Sequence, residues 1–557
     1  MEYLEIENLT FQYAGNNRTV LKEVSLSIKQ GEFILICGAS GSGKSTLLKL
    51  LKPQLTPAGK QTGTVFLDNK KITDLPEICS ASKIGYVMQN PDNQIVTDSV
   101  WHELAFGLEN MGISSSDIKS RIAEMTNFLG IQELLGCKTS ELSGGQKQLL
   151  NLASVLVMRP DILILDEPTT QLDPIASQNF VDILVRLNRE MGLTILLVEH
   201  SLESIFTLAD RVIILDRGQL IFEDEPRAIS AECKKNRSNL SRFMFSLPSA
   251  VQIFLESGIN DECPVTVIEG KRFLARHFAA DTIIQAQKRS FTKKQTAKSI
   301  QLKNCWFRYE KNSRDILAGV DFEVYEGEIF TLVGGNGTGK TTLLKIIAGI
   351  YDCYRGKISI LNQSIKKNKE TISFLPQEPQ MLFIKDSVLE DYKHYLDSKK
   401  INETKQMEQI QKVIALLDLN ESMTQHPLDL SGGECQRAAL GKLLLTDSKI
   451  LLLDEPTKGI DNYGKKQLIK IIKELSRQGK TILVVTHDLD FAAELSDRCG
   501  LFFQNKLLTT AEPKTFFSHH TFYTTAASRI SRDIFDNLVT TEQVIEACQL
   551  AKGAYDE

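Results

Sequence analysis

The chain has 557 residues, with 65 basic against 70 acidic side chains for a net charge of −5, and is 24% charged and 42% hydrophobic. At roughly 150 residues per domain, this length gives room for about three or four domains or two large ones, and the composition excludes a stapled mini-protein, a disordered tail and a polybasic nucleic-acid binder. No apolar run approaches the ~20 residues of a membrane-spanning helix, and Met1-Glu2-Tyr3-Leu4-Glu5-Ile6-Glu7 lacks the basic and apolar regions of a secretion signal, so residence in the cytosol is expected.

In chain order, the apolar run Phe33-Ile34-Leu35-Ile36 predicts a buried strand, Gly38-Ala39-Ser40-Gly41-Ser42-Gly43-Lys44-Ser45 a glycine-rich loop, and Leu47-Leu48-Lys49-Leu50-Leu51 the helix after it. Strand, loop and helix form the context in which G-x-x-x-x-G-K-[ST] cradles phosphate, because glycines let the backbone approach the oxygens and the amides and helix start supply a positive field. Lys44 is expected at the β/γ-phosphates and Ser45 on magnesium. Further on, Ser143-Gly144-Gly145 opens a helical run from Gln146 to Met158, a second anion-binding helix start. Ile162-Leu163-Ile164-Leu165, wholly apolar, predicts a strand of a parallel sheet buried on both faces, which delivers Asp166-Glu167-Pro168 at its C-terminal end. Asp166 suits a magnesium shell, and Glu167 suits the polarisation of an attacking water. His200 follows the strand-like Thr194 to Val198, where an imidazole can bond the γ-phosphate.

The polar, basic stretch Gln285 to Ser299, with Lys288, Arg289, Lys293, Lys294 and Lys298, reads as a solvated linker, with a boundary near residue 295. Beyond it the order repeats: Ile329 to Val333, Gly334-Gly335-Asn336-Gly337-Thr338-Gly339-Lys340-Thr341, Leu343 to Ile347, Ser431-Gly432-Gly433, Ile450 to Leu453 with Asp454-Glu455-Pro456, and Thr481 to Val485 with His487. Lys44 and Lys340 lie 296 positions apart; Gln89 and Gln377, Ser143 and Ser431, and Asp166 and Asp454 each lie 288 apart; His200 and His487 lie 287 apart. Such an ordered series marks an internal duplication. A compact half with two phosphate cradles points to nucleotide shared between the halves. The ten cysteines are scattered without a Cys-x-x-Cys pair and read as reduced thiols rather than a disulfide frame or zinc site.

These segments resemble the ATP-binding cassette (ABC) ATPases, as two cassettes fused in tandem, over nearly the whole chain. The resemblance implies an α/β fold of two P-loop NTPase domains, each with a helical signature subdomain and a small C-terminal appendage: cassette 1 over 1–230 with its appendage at 231–282, a linker at 283–299, and cassette 2 over 300–510 with its appendage at 511–557. It implies ATP and Mg2+ as cofactors, and head-to-tail pairing in which each P-loop faces the other half's signature. Tyr13 and Tyr309 would stack on adenine. Thr46 and Thr342 would extend the P-loops, and Gln146 and Glu434 would extend the signatures. Gln89 and Gln377 would be the Q-loop residues, serving both catalysis and metal, with Ser45, Thr341, Asp166 and Asp454 as the other metal ligands. Leu172-Asp173 and Ile460-Asp461 would be D-loops, and Glu167, Glu455, His200 and His487 the catalytic set. Glu434 departs from the usual Gln, which leaves room for asymmetry between two hydrolysing sites.

Gln89-Asn90-Pro91-Asp92-Asn93-Gln94-Ile95-Val96 with Glu103 to Asn110, Leu375-Pro376-Gln377-Glu378-Pro379, and the C-terminal Phe516-Phe517 with Phe522 to Ala527 more narrowly resemble energy-coupling factor (ECF) transporter ATPases. That implies an energising subunit for import of a vitamin, a vitamin precursor or a transition-metal ion, held peripherally on the cytoplasmic face of the membrane by a transmembrane coupling component and a substrate-binding component. Two alternatives keep the same catalytic residues: a soluble twin-cassette ATPase acting on ribosomes or nucleic acid, and the ATPase of another ABC transporter class. The short linker and net acidic charge weigh against the first, since phosphate-backbone binding favours a basic surface.

Overall fold

The computed structural model describes residues 2–15, 18–240, 242–278 and 297–555; most of the expected linker, up to residue 296, lies outside the described residues. The chain divides into two units, Met1–Pro248 and Ser249–Glu557.

Unit 1 contains strands β1 (Glu2–Tyr13), β2 (Thr19–Lys29), β3 (Phe33–Cys37), β4 (Gly59–Leu67), β5 (Lys70–Lys71), β6 (Ile84–Val87), β7 (Ile162–Asp166), β8 (Thr194–Val198), β9 (Arg211–Asp216) and β10 (Gln219–Asp224). An antiparallel sheet runs β2-β1-β4-β5, and a six-stranded sheet runs β10-β9-β3-β8-β7-β6, parallel except for its edge strand β10. Every residue of β3, β7 and β8 is buried, as their continuous apolar runs require of strands covered on both faces. The helix Lys44–Leu50 buries Leu47, Leu48 and Leu50 in one core with Ile34 and Ile36 of β3 and Leu4, Ile6 and Phe11 of β1. It is thereby fixed between the two sheets. Because β3, β8 and β7 are parallel neighbours, the glycine-rich loop, the 199–200 segment and the Asp166-Glu167 pair all leave the same edge of the sheet. A helical layer, Val100–Asn110, Ser115–Leu129 and Gly144–Leu156, starts each helix on a serine cap (Ser99, Ser114, Ser143) and turns Val100, Leu104, Leu108, Ile118, Ile122 and Leu150 inward at helical spacing.

Unit 2 repeats the plan with β11 (Lys298–Phe307), β12 (Leu317–Tyr325), β13 (Ile329–Val333), β14 (Arg355–Ile360), β15 (Gln363–Ser364), β16 (Ile372–Leu375), β17 (Ile450–Asp454), β18 (Thr481–Val485), β19 (Arg498–Phe503) and β20 (Lys506–Ala511). The orders are β12-β11-β14-β15 and β16-β17-β18-β13-β19-β20, the second again parallel up to its antiparallel edge. This unit also holds a helical group drawn from two distant stretches of chain. The helices Ser249–Ser257 and Val267–His277 pack against Ala526–Ser531 and Thr541–Tyr555. The Thr541 hydroxyl donates to Ser249 Oγ at 3.3 Å, Lys271 pairs with Asp533, and the Phe278 and Phe535 rings lie 5.9 Å apart. Among the described residues, no helix is long and apolar enough to cross a membrane.

Candidate functional site

Both glycine-rich loops rest on glycines at positive φ. Gly38 and Gly334 have φ of 146° and 155°, and a Cβ on them would come within 2.1 Å of the Leu215 carbonyl and 2.3 Å of the Phe502 carbonyl. The loops therefore press against β9 and β19 so closely that only glycine fits. Lys44 and Lys340, both 5% exposed, fold back over their own loops. Lys44 Nζ donates to the Gly38 and Ala39 carbonyls at 2.9 Å each, and Lys340 Nζ to those of Gly334 and Gly335 at 2.9 and 2.7 Å. The ammonium of each loop is thus ordered at its mouth.

Ser45 Oγ donates to Asp166 Oδ1 at 3.0 Å, and Thr341 Oγ1 to Asp454 Oδ1 at 3.1 Å. A hydroxyl beside a carboxylate is a hard-oxygen pair suited to Mg2+. In the second unit, Asp454 Oδ2 is buried without a hydrogen-bond partner, as expected of an oxygen reserved for a hydrated cation. Burial pushes the Asp454 carboxyl up to about 6 and moves Asp166 in the same direction. A cation there would reverse this.

Glu167 and Glu455 follow in left-handed backbone, both at φ 48°. His200 Nε2 lies 2.7 Å from Glu167 Oε1, whereas His487 approaches Glu455 Oε2 through Nδ1, at 2.9 Å. Burial raises both glutamates, but the facing imidazole, helped by Lys44 or Lys340, outweighs it and holds each carboxyl below its ordinary range. In return His487, though burial lowers it, is raised by Glu455. The arrangement keeps an ionised carboxylate at the sheet edge, poised to accept a proton.

Gln89 Nε2 donates to Glu167 Oε2 at 2.6 Å, while the exposed Gln377 makes no such bond to Glu455. Ser143 and Ser431 cap their helices in full capping boxes: the Ser143 N–H donates to Gln146 Oε1 at 2.8 Å and the Ser431 N–H to Glu434 Oε2 at 2.9 Å. Asp173 and Asp461 cap the helices Pro174–Met191 and Asn462–Arg477. Tyr13 and Tyr309 pair their hydroxyls with Thr46 and Thr342 at 2.9 and 2.8 Å, which sets each ring beside its loop. Each unit thus gathers its own loop, carboxylate pair, histidine and tyrosine. Sequence reasoning missed four neighbours. Tyr86 donates to Asp166 Oδ2 at 3.2 Å, Glu199 accepts from Thr169, and Lys465 pairs with Asp488 at 2.6 Å. Their signal was adjacency to His200 and His487 for Glu199 and Asp488; for Tyr86 and Lys465 there was none.

A family model for ABC transporters matches residues 21–170 and 317–458. A Bacillus anthracis protein provisionally named ABC transporter ATP-binding protein is 41% identical, covering 98% of this chain and 98% of its own. A Bacillus subtilis protein provisionally named HMP/thiamine import ATP-binding protein YkoD is 31% identical over 93% of each chain. Among solved structures, an archaeal ribosome recycling factor, aABCE1, in complex with the ribosomal stalk protein aP1, matches at a TM-score of 0.57 and 22% identity over 92% of this chain and 91% of that one, a likeness of fold alone.

Proposed function

This chain belongs to the ABC transporter family, a tandem-cassette ATPase using ATP with Mg2+, and from that premise we propose that it is the energising subunit of an ECF-type importer. It binds two ATP at the composite sites that the sequence resemblance implies, and it drives uptake of a vitamin, vitamin precursor or metal ion through separate membrane subunits. It sits peripherally at the cytoplasmic face of the membrane, held by those subunits.

The observation that carries this reading is a groove of ≈ 270 Å³ on the segment that follows Gln89, lined by Asp92, Ile95, Val96, Thr97, Thr139, Ser140 and Lys147. Val96 stands 65% exposed there. An apolar residue held out to solvent in a concave wall suits a partner's helix. The same segment begins at Gln89, whose amide bonds Glu167, so a partner seated in the groove bears on the residue proposed as base. The name of the Bacillus subtilis relative, which refers to HMP/thiamine import, supports the same class of cargo.

In the proposed cycle Lys44 and Lys340 exchange their loop carbonyls for the nucleotide's phosphates. Ser45 with Asp166, and Thr341 with Asp454, would hold Mg2+, which would supply charge neutralisation at the phosphates. Glu167 and Glu455 take a proton from the attacking water, and His200 and His487 keep those carboxylates ionised and oriented. Tagged protein purified from membranes in mild detergent is expected to bring down two hydrophobic proteins. Recovery of ribosomes instead, or of the chain alone, would overturn the importer reading while leaving the ATPase assignment intact.

A further inference from the structure

The two histidines close corresponding strands, yet the carboxyl groups beside them stand on opposite sides. Glu199 precedes His200; its counterpart before His487 is Thr486, and there a carboxyl follows instead, Asp488. Glu199 is 3% exposed. Its Oε1 accepts the Thr169 N–H at 2.9 Å and the Thr169 hydroxyl at 2.7 Å. The Thr169 carbonyl in turn accepts the Leu172 N–H at 2.9 Å, and the Glu167 carbonyl accepts the Thr170 hydroxyl at 3.0 Å. One side chain thus ties the His200 segment to the turn running from Glu167 toward Asp173.

In the second unit the tie runs elsewhere. The Thr486 hydroxyl accepts the Asp488 N–H at 3.1 Å, and the Asp488 carboxylate grips Lys465, in the first turn of the helix that Asp461 caps. The difference bears on chemistry because Glu167, at φ 48°, occupies backbone that a non-glycine residue holds only when its surroundings over-determine it. A buried carboxyl is also costly wherever an uncharged residue would pack as well, as Thr486 does in the second unit.

We propose that Glu199 is a positioning residue of the first nucleotide site: it clamps the Thr169 turn so that Glu167 and His200 keep their mutual geometry, whereas the second site is held through Asp488 and Lys465. The proposal rests on the reading of Glu167 as the base. It makes the two sites mechanically unlike although their catalytic residues match, and it makes turnover at the first site, alone, sensitive to position 199.

The test uses the full chain, wild type and in an E455Q background, with steady-state ATPase titrated against ATP for E199A, E199T and E199Q. In the E455Q background E199A and E199T are expected to lower kcat about tenfold or more with KM within about twofold, since loop and lysine are untouched while the base is displaced. E199Q keeps an acceptor at Oε1 and is expected to restore kcat to within about threefold of its parent. In the wild-type background E199A and E199T are expected to remove the first site's share of turnover. An E199A kcat within twofold of its parent in both backgrounds, a rise in KM that accounts for the loss, or an E199Q defect as deep as that of E199A would overturn the proposal. E199T, which places the second unit's own residue type at this position, decides the matter should E199A fail to fold. If E167Q/E455Q still hydrolyses ATP, the base reading falls; if it is silent while E199A behaves as wild type, positioning alone falls.

Discussion

At the level of single residues, the site depends on keeping two nearly buried carboxylates charged. Glu167 and Glu455 are 7% and 6% exposed, and an imidazole facing each offsets the desolvation. Replacing both by Gln keeps the shape and one acceptor oxygen but removes the carboxylate that takes the proton. The double variant is therefore expected to bind ATP with near-native affinity while turnover falls by about 10²-fold or more; persistent hydrolysis would refute the assignment. Glu199 gives a second, pH-resolved expectation. Burial pushes its carboxyl from an ordinary 4.5 up to about 8, so the folded chain binds a proton that the unfolded chain has released. Stability from this group is complete below 4.5 and is lost as pH rises toward 8. E199Q cannot ionise, so its melting temperature is expected to gain on wild type steadily across that window and to run parallel below it, the full difference amounting to a few kcal/mol. A pH-independent difference would show that Glu199 does not titrate there. The identities of Lys44, Asp166, Glu167 and His200 were legible because each sits at a fixed offset in a local pattern. Glu199 was not, because its partner Thr169 lies 30 positions away and only the pairing of β7 with β8 brings the two turns together.

Strands and helices carry these residues to one edge, and here the sequence was most informative. The wholly apolar run at β7 announced a doubly covered parallel sheet, the runs at β3 and β8 announced strands, and the serine before each Gly-Gly announced a helix start. The P-loop helix is held by Leu47, Leu48 and Leu50 and does not depend on Lys44, whose aliphatic stem is buried but whose ammonium serves the loop carbonyls. Lys44→Ala is accordingly expected to fold and to lose tight nucleotide binding at one of the two loops only, which isothermal titration reads as a halved stoichiometry; two unchanged sites would refute the cradle. Sheet order, by contrast, follows from long-range pairing. Spacing alone did not show that Gln89 bonds Glu167 while Gln377 leaves Glu455 alone, because the two glutamines share the same offset from their glutamates.

At the scale of the molecule, residues 249–278 fold with residues 526–555, on the far side of the second cassette in sequence. Their composition explains why they need a partner. Ala250, Val251, Ile253 and Phe254 line one buried face, and Phe273 and Leu274 another, apolar stripes that neither short helix can cover alone. Ile530, Phe535, Leu538, Val544 and Ala551, all 4% exposed or less, belong to the tail that meets them. The tail is also tied to the cassette, since Lys466 on the helix Asn462–Arg477 pairs with Glu494 at 2.5 Å and with Glu542. A chain ending at Thr525 therefore leaves the 249–278 helices without cover and breaks that tie, while the strands β13, β17 and β18 keep their own core. Hydrogen exchange is expected to show protection lost across 249–278 and retained in those three strands. The single change Phe535→Ala, which removes a buried ring beside Phe278, is expected to produce a milder form of the same pattern at a cost of about 3 kcal/mol. Protection of 249–278 that survives truncation would mean that these helices are stabilised by contacts other than the tail, and the group would then not be one folding unit.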